Sequence, residues 1–267
     1  MAKSKSKILI FDIETAPAKG AIWGAWKQNI PFNMMLQDWY MLSFAAKWLD
    51  GERIMYSDLR DKPAGSEDDS HLVRQLHSLF GQADIVVAHN GDKFDIRRVQ
   101  ARFVKLGLGP TSPFHSIDTV KVSRRSFDFP YHSLEYLTKT LLPEAYWKKK
   151  SAKFPGYALW EQCLAGNPEA WQEMEDYNRQ DVVALEALYR VLRPWIIGHP
   201  NVTLSEGDAP DEPTCPNCGS TKVHKRGTQA AKLTGVYQRY KCMDCGKWSR
   251  SRTTITTPTK RRNILVG

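Results

Sequence analysis

Two acidic side chains follow an apolar run near the start of the chain. Residues 7–13 are predicted to form a buried strand, and Asp12 and Glu14 extend the face that carries Ile8 and Ile10, because side chains alternate along a strand. Two carboxylates on one buried face repel each other, so a cation or a large pKa shift must compensate. By itself the pair is a weak signal, since the strand could equally end in a solvated loop at residues 15–17.

A third acid lies on a long helix predicted for residues 168–193. Asp181 falls on an apolar stripe at helical spacing, with Tyr177 one turn earlier on the same face; the stripe consists of Trp171, Met174, Leu185, Leu188 and Leu192. A carboxylate in such a stripe is costly unless a metal or a salt bridge to a distant Lys or Arg compensates it. Asp95 starts another predicted helix, over residues 93–106, where it could simply favour the helix dipole. Four carboxylates from three elements together predict a site for two hard cations, Mg²⁺ or Mn²⁺.

These segments, in this order, resemble the three exonuclease motifs of the DEDD superfamily, whose fold is ribonuclease H-like. The matching segments are residues 11–15 (Phe-Asp-Ile-Glu-Thr), residues 90–95 (Asn-x3-Phe-Asp) and Tyr177-x3-Asp181. The tyrosine is typical of the DEDDy branch, as in proofreading domains of B-family polymerases; the other branch would have histidine where Asp176 stands. The similarity spans about residues 7–195 and extends to stand-alone ribonuclease H-like exonucleases of bacteria and phages.

The resemblance implies a mixed α/β sheet flanked by helices and a 3′–5′ exonuclease that releases nucleoside 5′-monophosphates. It implies that Asp12 bridges two metal ions, that Glu14 and Asp181 complete the ion that binds the attacking water, and that Asp95 holds the second ion. Tyr177 would orient the water. A structure-specific endonuclease, an RNA exonuclease and a binding protein with an inactive site remain as alternatives.

Other side chains are candidates for contact with the substrate. Thr15 and Asn90 flank the motifs, while Trp23 and Trp26 could stack on terminal bases or equally pack in the core. A basic loop precedes the long helix, and its lysines could bind the strand or form a solvated face: Lys148, Lys149 and Lys150.

The remaining elements are predicted from period and turn residues. Strands at residues 40–48 and 53–57 form an antiparallel hairpin beside the first strand, and further strands are expected at residues 85–88 and 115–122. Additional helices are expected at residues 67–80 and 133–142. The predicted domains are an exonuclease domain at residues 1–197, an acidic linker at 198–213 and a basic zinc ribbon and tail at 214–267.

The zinc prediction rests on two C-x2-C pairs separated by 23 residues: Cys215, Cys218, Cys242 and Cys245. Four thiolates close a tetrahedral site, so the zinc would be structural; a redox-active dithiol is the alternative. Within this module Arg239, Lys241 and Trp248 suit phosphate contacts and base stacking, although a ribbon that binds a replication or repair protein competes with this interpretation.

The distribution of charge favours a polyanionic partner, with DNA favoured over RNA. Of the net charge of +9, residues 1–197 carry 26 Lys and Arg against 24 Asp and Glu, residues 198–213 carry none against 4, and residues 214–267 carry 12 against 1. The basic end indicates nucleic acid, or else a solubilising tail. The sequence contains no apolar run of membrane-spanning length and no recognisable signal peptide, so a cytoplasmic protein is expected.

Overall fold

The computed structural model describes residues 6–24, 26, 29–147, 153–205, 212–231 and 235–264. Contacts divide the chain into two compact units: Lys7–Tyr189, and a second unit that contains Ser6 and the residues from Arg190 onward. Within these described ranges, no helix is both long and apolar enough to cross a membrane. The predicted substrate contacts Lys148, Lys149 and Lys150 lie outside the described residues.

The first unit combines seven strands with six helices, as far as its described residues extend. Its elements in chain order are β1 Ile8–Thr15, β2 Lys19–Gly20, β3 Met35–Gln37, β4 Met41–Trp48, β5 Ile54–Asp58, α1 Ser70–Gln82, β6 Ile85–Ala88, α2 Asp95–Lys105, β7 His115–Asp118, α3 Thr119–Ser126, α4 Leu134–Leu141, α5 Ala158–Leu164 and α6 Pro168–Leu192.

A five-stranded mixed sheet organises this unit. Its strand order is β5-β4-β1-β6-β7. Strand β4 is antiparallel to both β5 and β1, and β1, β6 and β7 are parallel to one another. The central strand β1 is apolar on both faces, as expected for a strand that is covered on both sides. The predicted α/β class with a mixed sheet flanked by helices is therefore confirmed.

The two faces of β1 have different partners. On one face the ring of Phe11 contacts Phe80 of α1 edge-to-face, with ring centroids 5.0 Å apart. On the other face Asp12 lies opposite Ala45 of β4 and accepts a hydrogen bond from Asn178 of α6. Because alternate residues of a strand share a face, α6 covers the side of the sheet that carries the acids of β1.

The strand predicted for residues 115–122 is wrong beyond Asp118. The Asp118 side chain accepts hydrogen bonds from the backbone N–H groups of Val120 and Lys121, and it thereby caps α3. Residues 119–122 are instead part of a helix, because the cap satisfies the orphan N–H groups of its first turn.

The second unit contains a small antiparallel sheet of order β10-β9-β8, followed by a short helix. Its elements are β8 Val223–Ala231, β9 Gly235–Cys242, β10 Trp248–Arg250 and α7 Pro258–Arg262. Part of the predicted linker is ordered in this unit. Residues Val202–Ser205 form a 3-10 helix, and the buried Val202 donates its N–H to the carbonyl of Pro216 over 3.0 Å. The division of the chain at residues 189 and 190 precedes the predicted boundary at residue 197.

Candidate active site

Three of the predicted metal ligands lie together in the first unit. One carboxylate oxygen from each of Asp12, Glu14 and Asp181 lies within 4.8 Å of the other two. Asp181 is buried, and the two acids of β1 are half-buried. Like charges at this separation repel one another strongly where water is scarce, so the group favours a bound cation.

Regular secondary structure brings these acids together. Asp12 and Glu14 point to the same side of β1, opposite Ala45 and Ser43 of β4. Asp181 is carried to the same place by α6, whose apolar stripe is buried as predicted: Trp171, Met174, Leu185, Leu188 and Leu192. The carboxylate that interrupts this stripe therefore faces the acids of β1.

Asn178 is a site residue that the sequence analysis missed. Its Nδ2 donates to Asp12 Oδ2 over 2.7 Å, and its Oδ1 accepts a hydrogen bond from Ser43 Oγ at 3.2 Å. Both Asn178 and Ser43 are fully buried. The signal was present in the sequence, because Asn178 lies four residues after Met174 and three before Asp181, in the middle of the stripe. The amide fixes the orientation of the Asp12 carboxylate.

Trp160 of α5 also contacts the site and was missed. Its indole Nε1 donates to Glu14 Oε2 over 3.2 Å, and its ring packs edge-to-face against Tyr177, with centroids 6.1 Å apart. Tyr177 lies one turn before Asp181, as predicted. One indole therefore positions both a carboxylate and the tyrosine, although no pattern within the short helix α5 marks it.

Asp95 lies beside the three-acid group rather than within it. Its Oδ1 accepts a hydrogen bond from the backbone N–H of Ile13 at 3.4 Å. Ile13 is the residue between the two acids of β1. Burial raises the pKa of Asp95 to about 7, and the neighbouring Asp118 carboxylate adds to the rise. Asp118 Oδ2 is itself buried and accepts no hydrogen bond within the described part of the chain. Asp95 is thus more than a helix-start acid, because its carboxylate is tied to the strand that carries the site.

A strained turn precedes Asp95. Asn90 has a φ of 67°, in the left-handed region, and its N–H donates to Asp118 Oδ1 over 3.0 Å. A Cβ added to Gly91 would lie 2.3 Å from the Cβ of Ala88, which leaves no room for a larger residue. The turn is therefore held by both a side-chain acceptor and a close backbone approach.

The other predicted substrate contacts of this unit have distinct surroundings. Thr15 Oγ1 accepts a hydrogen bond from Arg98 at 2.5 Å, and the Arg98 guanidinium stacks over the ring of Phe94 at 4.1 Å. Trp23 and Trp26 are 95% and 81% exposed, which excludes the alternative that they pack in the core. Their roles in binding remain predictions.

The acidic group fits divalent cations by its chemistry. All of its ligand atoms are carboxylate oxygens, which hard ions such as Mg²⁺ and Mn²⁺ prefer. The described residues thus provide one compact set of three acids, with Asp95 next to it as a source of further ligand atoms.

The second unit contains a separate cysteine cluster. The four Sγ atoms of Cys215, Cys218, Cys242 and Cys245 lie within 4.8 Å of one another, and two of the pairs are 3.6 and 3.7 Å apart. A tetrahedral zinc with Zn–S bonds of about 2.3 Å requires sulfur separations of roughly 3.8 Å, so the donor set fits this ion. Cys163 lies elsewhere, and burial raises the pKa of its thiol to about 12, consistent with a packing residue.

The predicted ribbon contacts lie on the sheet of the second unit. Trp248 of β10 is opposite Lys241 of β9, and Arg239 stacks over the Trp248 ring at 4.8 Å. Lys241 Nζ lies 6.0 Å from the same ring centroid. These three residues, which the sequence analysis grouped only by composition, thus form one cluster.

Comparison with solved structures places the fold. The family B DNA polymerase from the hyperthermophilic archaeon Pyrobaculum calidifontis is similar, with a TM-score of 0.51 and 16% identity over 72% of this chain and 26% of that chain. The chain therefore corresponds to about a quarter of the polymerase's length, and the likeness concerns the fold alone. A comparison with curated proteins gives no match.

The family is established by sequence. Residues 37–193 match the RNase H superfamily, which is more than half of the chain. The match includes Asp95, Tyr177 and Asp181, and the structure adds Asp12 and Glu14 to the same site from β1. On this sequence match, with the mixed five-stranded sheet in agreement, the chain belongs to the RNase H superfamily.

Proposed function

We propose that this protein is a metal-dependent 3′–5′ exonuclease of the DEDDy type, which hydrolyses DNA from a single-stranded or overhanging 3′ end. The observation that carries the proposal is the approach of Asp12, Glu14 and Asp181 to within 4.8 Å on the sheet face beneath α6. The position of Tyr177 one helical turn before Asp181 supports the tyrosine branch. The family membership supports phosphodiester hydrolysis, and the similarity to a DNA polymerase supports DNA as the substrate.

The acids would hold the catalytic ions. Asp12, Glu14 and Asp181 would bind one divalent ion, and Asp12 with Asp95 would bind a second. Bound there, the ions would supply a water of lowered pKa and neutralise negative charge on the phosphate. The rest of the mechanism is carried by the side chains that position these acids and the substrate.

Each positioning residue has a defined task in the proposed mechanism. Asn178 holds one oxygen of Asp12 and would thereby orient the carboxylate for metal binding. Trp160 holds Glu14 and packs against Tyr177, whose hydroxyl would orient the attacking water. Because these contacts exist before substrate binds, little reorganisation is needed during the reaction.

The terminal nucleotide would be bound by residues around the motifs. Thr15 and Asn90 flank the acids, and the exposed rings of Trp23 and Trp26 offer stacking surfaces for unpaired bases. Cleavage of the last phosphodiester between its phosphorus and the 3′ oxygen of the preceding nucleotide would release the terminal nucleotide as a nucleoside 5′-monophosphate.

A single experiment tests the mode of cleavage. The chain of 267 residues is incubated with Mn²⁺ and 5′-labelled linear strands of DNA and RNA, and with a covalently closed single-stranded DNA circle. We expect a ladder of DNA products that shortens from the 3′ end and an intact circle. Nicking of the circle as fast as the linear strand is degraded would establish an endonuclease instead. Faster degradation of RNA than of DNA would show that RNA is the preferred substrate.

A matched pair of variants tests the site assignment. Asp181→Asn should abolish cleavage, because it removes one charge from the metal-binding group. Asp176→Asn on the same helix removes an exposed acid five residues earlier and should cleave like the wild type. Equal activity of the two variants would contradict the assignment.

A further inference from the structure

We propose that one face of the sheet formed by β8, β9 and β10 binds the phosphate backbone of nucleic acid without reading its bases. The inference rests on the proposed function only in its choice of nucleic acid as the polyanion. The second unit would thus contribute affinity for nucleic acid that does not depend on the nucleotide sequence.

Strand register defines this face, here called the cationic face. Tyr237, Arg239 and Lys241 alternate to the same side of β9, and the residues paired with them are on that side as well. Trp248 pairs with Lys241, and Arg250 pairs with Arg239. The cationic face is the part of this side that β9 and β10 supply: Tyr237, Arg239, Lys241, Trp248 and Arg250. His224 and Gln229 of β8 pair with Lys241 and Tyr237 beside it.

Cations cover the aromatic rings of the cationic face. The Arg250 guanidinium lies 4.0 Å from the ring centroid of Tyr237, and the Arg239 guanidinium lies 4.8 Å from that of Trp248. Tyr237 is only 7% exposed. A base cannot stack on a ring face that a guanidinium already occupies, so these ring faces support the cations. Trp248 is 48% exposed, and the comparison with an abasic strand tests whether its other face binds bases.

The stacked cations remain able to bind phosphate. Arg239 donates through Nε to the carbonyl of Arg226, and Arg250 donates through Nη1 to that of Ser251. The other N–H donors at the edge of each guanidinium match the oxygens of a phosphate. Stacking also limits the conformational freedom of long side chains, which lowers the entropy lost on binding.

The charge of the module complements a polyanion. Asp244 is the single acid in residues 214–267, where twelve Lys and Arg occur. Its carboxylate accepts a hydrogen bond from Ser220 at 2.7 Å and lies 3.6 Å from Lys222. Since Asp244 belongs to the turn between Cys242 and Cys245, it does not contribute to the cationic face.

The test compares two triple variants of the full-length protein in an Asp12→Ala background, so that binding is measured whether or not the protein is a nuclease. The face variant carries Arg239→Gln, Lys241→Gln and Arg250→Gln. The control variant removes the same number of charges from α7: Lys260→Gln, Arg261→Gln and Arg262→Gln. Affinity for a fluorescent single-stranded 30-mer is measured by anisotropy between 50 and 200 mM salt, with no added Mg²⁺ or Mn²⁺.

We expect the face variant to lose on the order of tenfold in affinity and about 2 in the slope of log affinity against log salt, as for three lost phosphate contacts. The control variant should change either quantity far less. Equal losses in the two variants would overturn the proposal, because net charge alone would then explain binding. Unchanged affinity of the face variant would also overturn the proposal, and an acidic protein would then be the partner that fits the cationic face.

Two further measurements separate backbone from base recognition and folding from binding. A strand of abasic residues of equal length should bind within about twofold of the 30-mer, and inorganic polyphosphate should compete; a tenfold loss with the abasic strand would contradict the proposal. The pair Arg239→Lys and Arg250→Lys keeps the charges and should retain most of the affinity. Zinc content and circular dichroism identify a face variant that fails to fold. In that case the single variants Arg239→Gln and Arg250→Gln are each compared with Lys260→Gln, and equal losses of affinity would overturn the proposal.

Discussion

Replacement of Asn178 by alanine should slow catalysis while leaving the fold and the affinity for DNA almost unchanged. The amide donates to Asp12 over 2.7 Å and accepts from Ser43 over 3.2 Å, and it is fully buried. A hydrogen bond to a charged group contributes roughly 1.5–3 kcal/mol. Where that contribution acts in the transition state, the rate constant falls about 10- to 150-fold.

The assay is single-turnover cleavage of a 5′-labelled strand at saturating enzyme, with thermal unfolding followed in parallel. A positioning role predicts that the maximal single-turnover rate constant falls, while the enzyme concentration for half-maximal rate, measured by titrating the enzyme below saturation, stays within about twofold. It also predicts that the Mn²⁺ concentration for half-maximal rate rises, since Asp12 no longer has a fixed orientation. A purely structural role for Asn178 would shift the melting temperature without this change in metal dependence.

The same helix offers a matched control. Gln172 is exposed, and its amide donates to Asp176 over 3.2 Å, so Gln172→Ala removes an amide–carboxylate bond outside the site. This variant should keep the wild-type rate within about twofold. Asn178→Asp should be slower than wild type as well, because a second acid would repel Asp12. A folded Asn178→Ala protein with the wild-type rate and metal dependence would refute the reasoning.

Three further substitutions test other contacts of the site. Trp160→Phe keeps a ring but loses the donor to Glu14, so single-turnover cleavage should slow by about 3- to 10-fold; an unchanged rate would exclude the contact from catalysis. Asp95→Asn should stabilise the metal-free protein more at pH 8 than at pH 5. Burial raises the pKa of Asp95 from 3.8 in the unfolded chain to about 7 in the folded protein. The wild type therefore loses stability as the pH rises from the lower to the higher of these two pKa values, by at most roughly 4 kcal/mol. Urea denaturation at both pH values measures the gain, and equal gains would contradict the cause. Gly91→Ala places a Cβ 2.3 Å from that of Ala88 and should cost roughly 1–3 kcal/mol in thermal unfolding; wild-type stability would show that the turn can relax.

The strand and the helix that carry three of the acids were predictable because the apolar residues of each follow a regular pattern. Strand β1 is apolar on both faces, and Asp12 and Glu14 are in phase with Ile8 and Ile10. The long helix α6 begins at Pro168 as predicted, where the side chain of Asn167 accepts the N–H of Glu169 over 3.0 Å. Hydrophobic periodicity and capping residues therefore predict which side chains face the core, and an acid at a core-facing position indicates a candidate site.

Contacts between elements distant in the chain were not predictable. Trp160 reaches Glu14 across 146 positions of sequence, and nothing in the seven residues of α5 specifies that approach. The local end of β7 was also missed, since Val120 and Val122 favour a strand by propensity while the Asp118 side chain caps a helix. Here the hydrogen bonds that cap α3 determine the structure, although the residues themselves have strand propensity.

If the proposed site binds two ions, the arrangement of the four acids would make the two metal positions unequal. Asp12, Glu14 and Asp181 share a compact space, in which their mutual repulsion favours a bound cation. Asp95 stands apart, where it accepts a backbone N–H and has its pKa raised to about 7 by burial, so at neutral pH it is partly protonated before any metal binds. An ion that uses Asp95 must displace that proton, whereas an ion in the three-acid group relieves existing repulsion. The first position should therefore fill at lower metal concentration than the second, and cleavage should depend on metal with two separable midpoints.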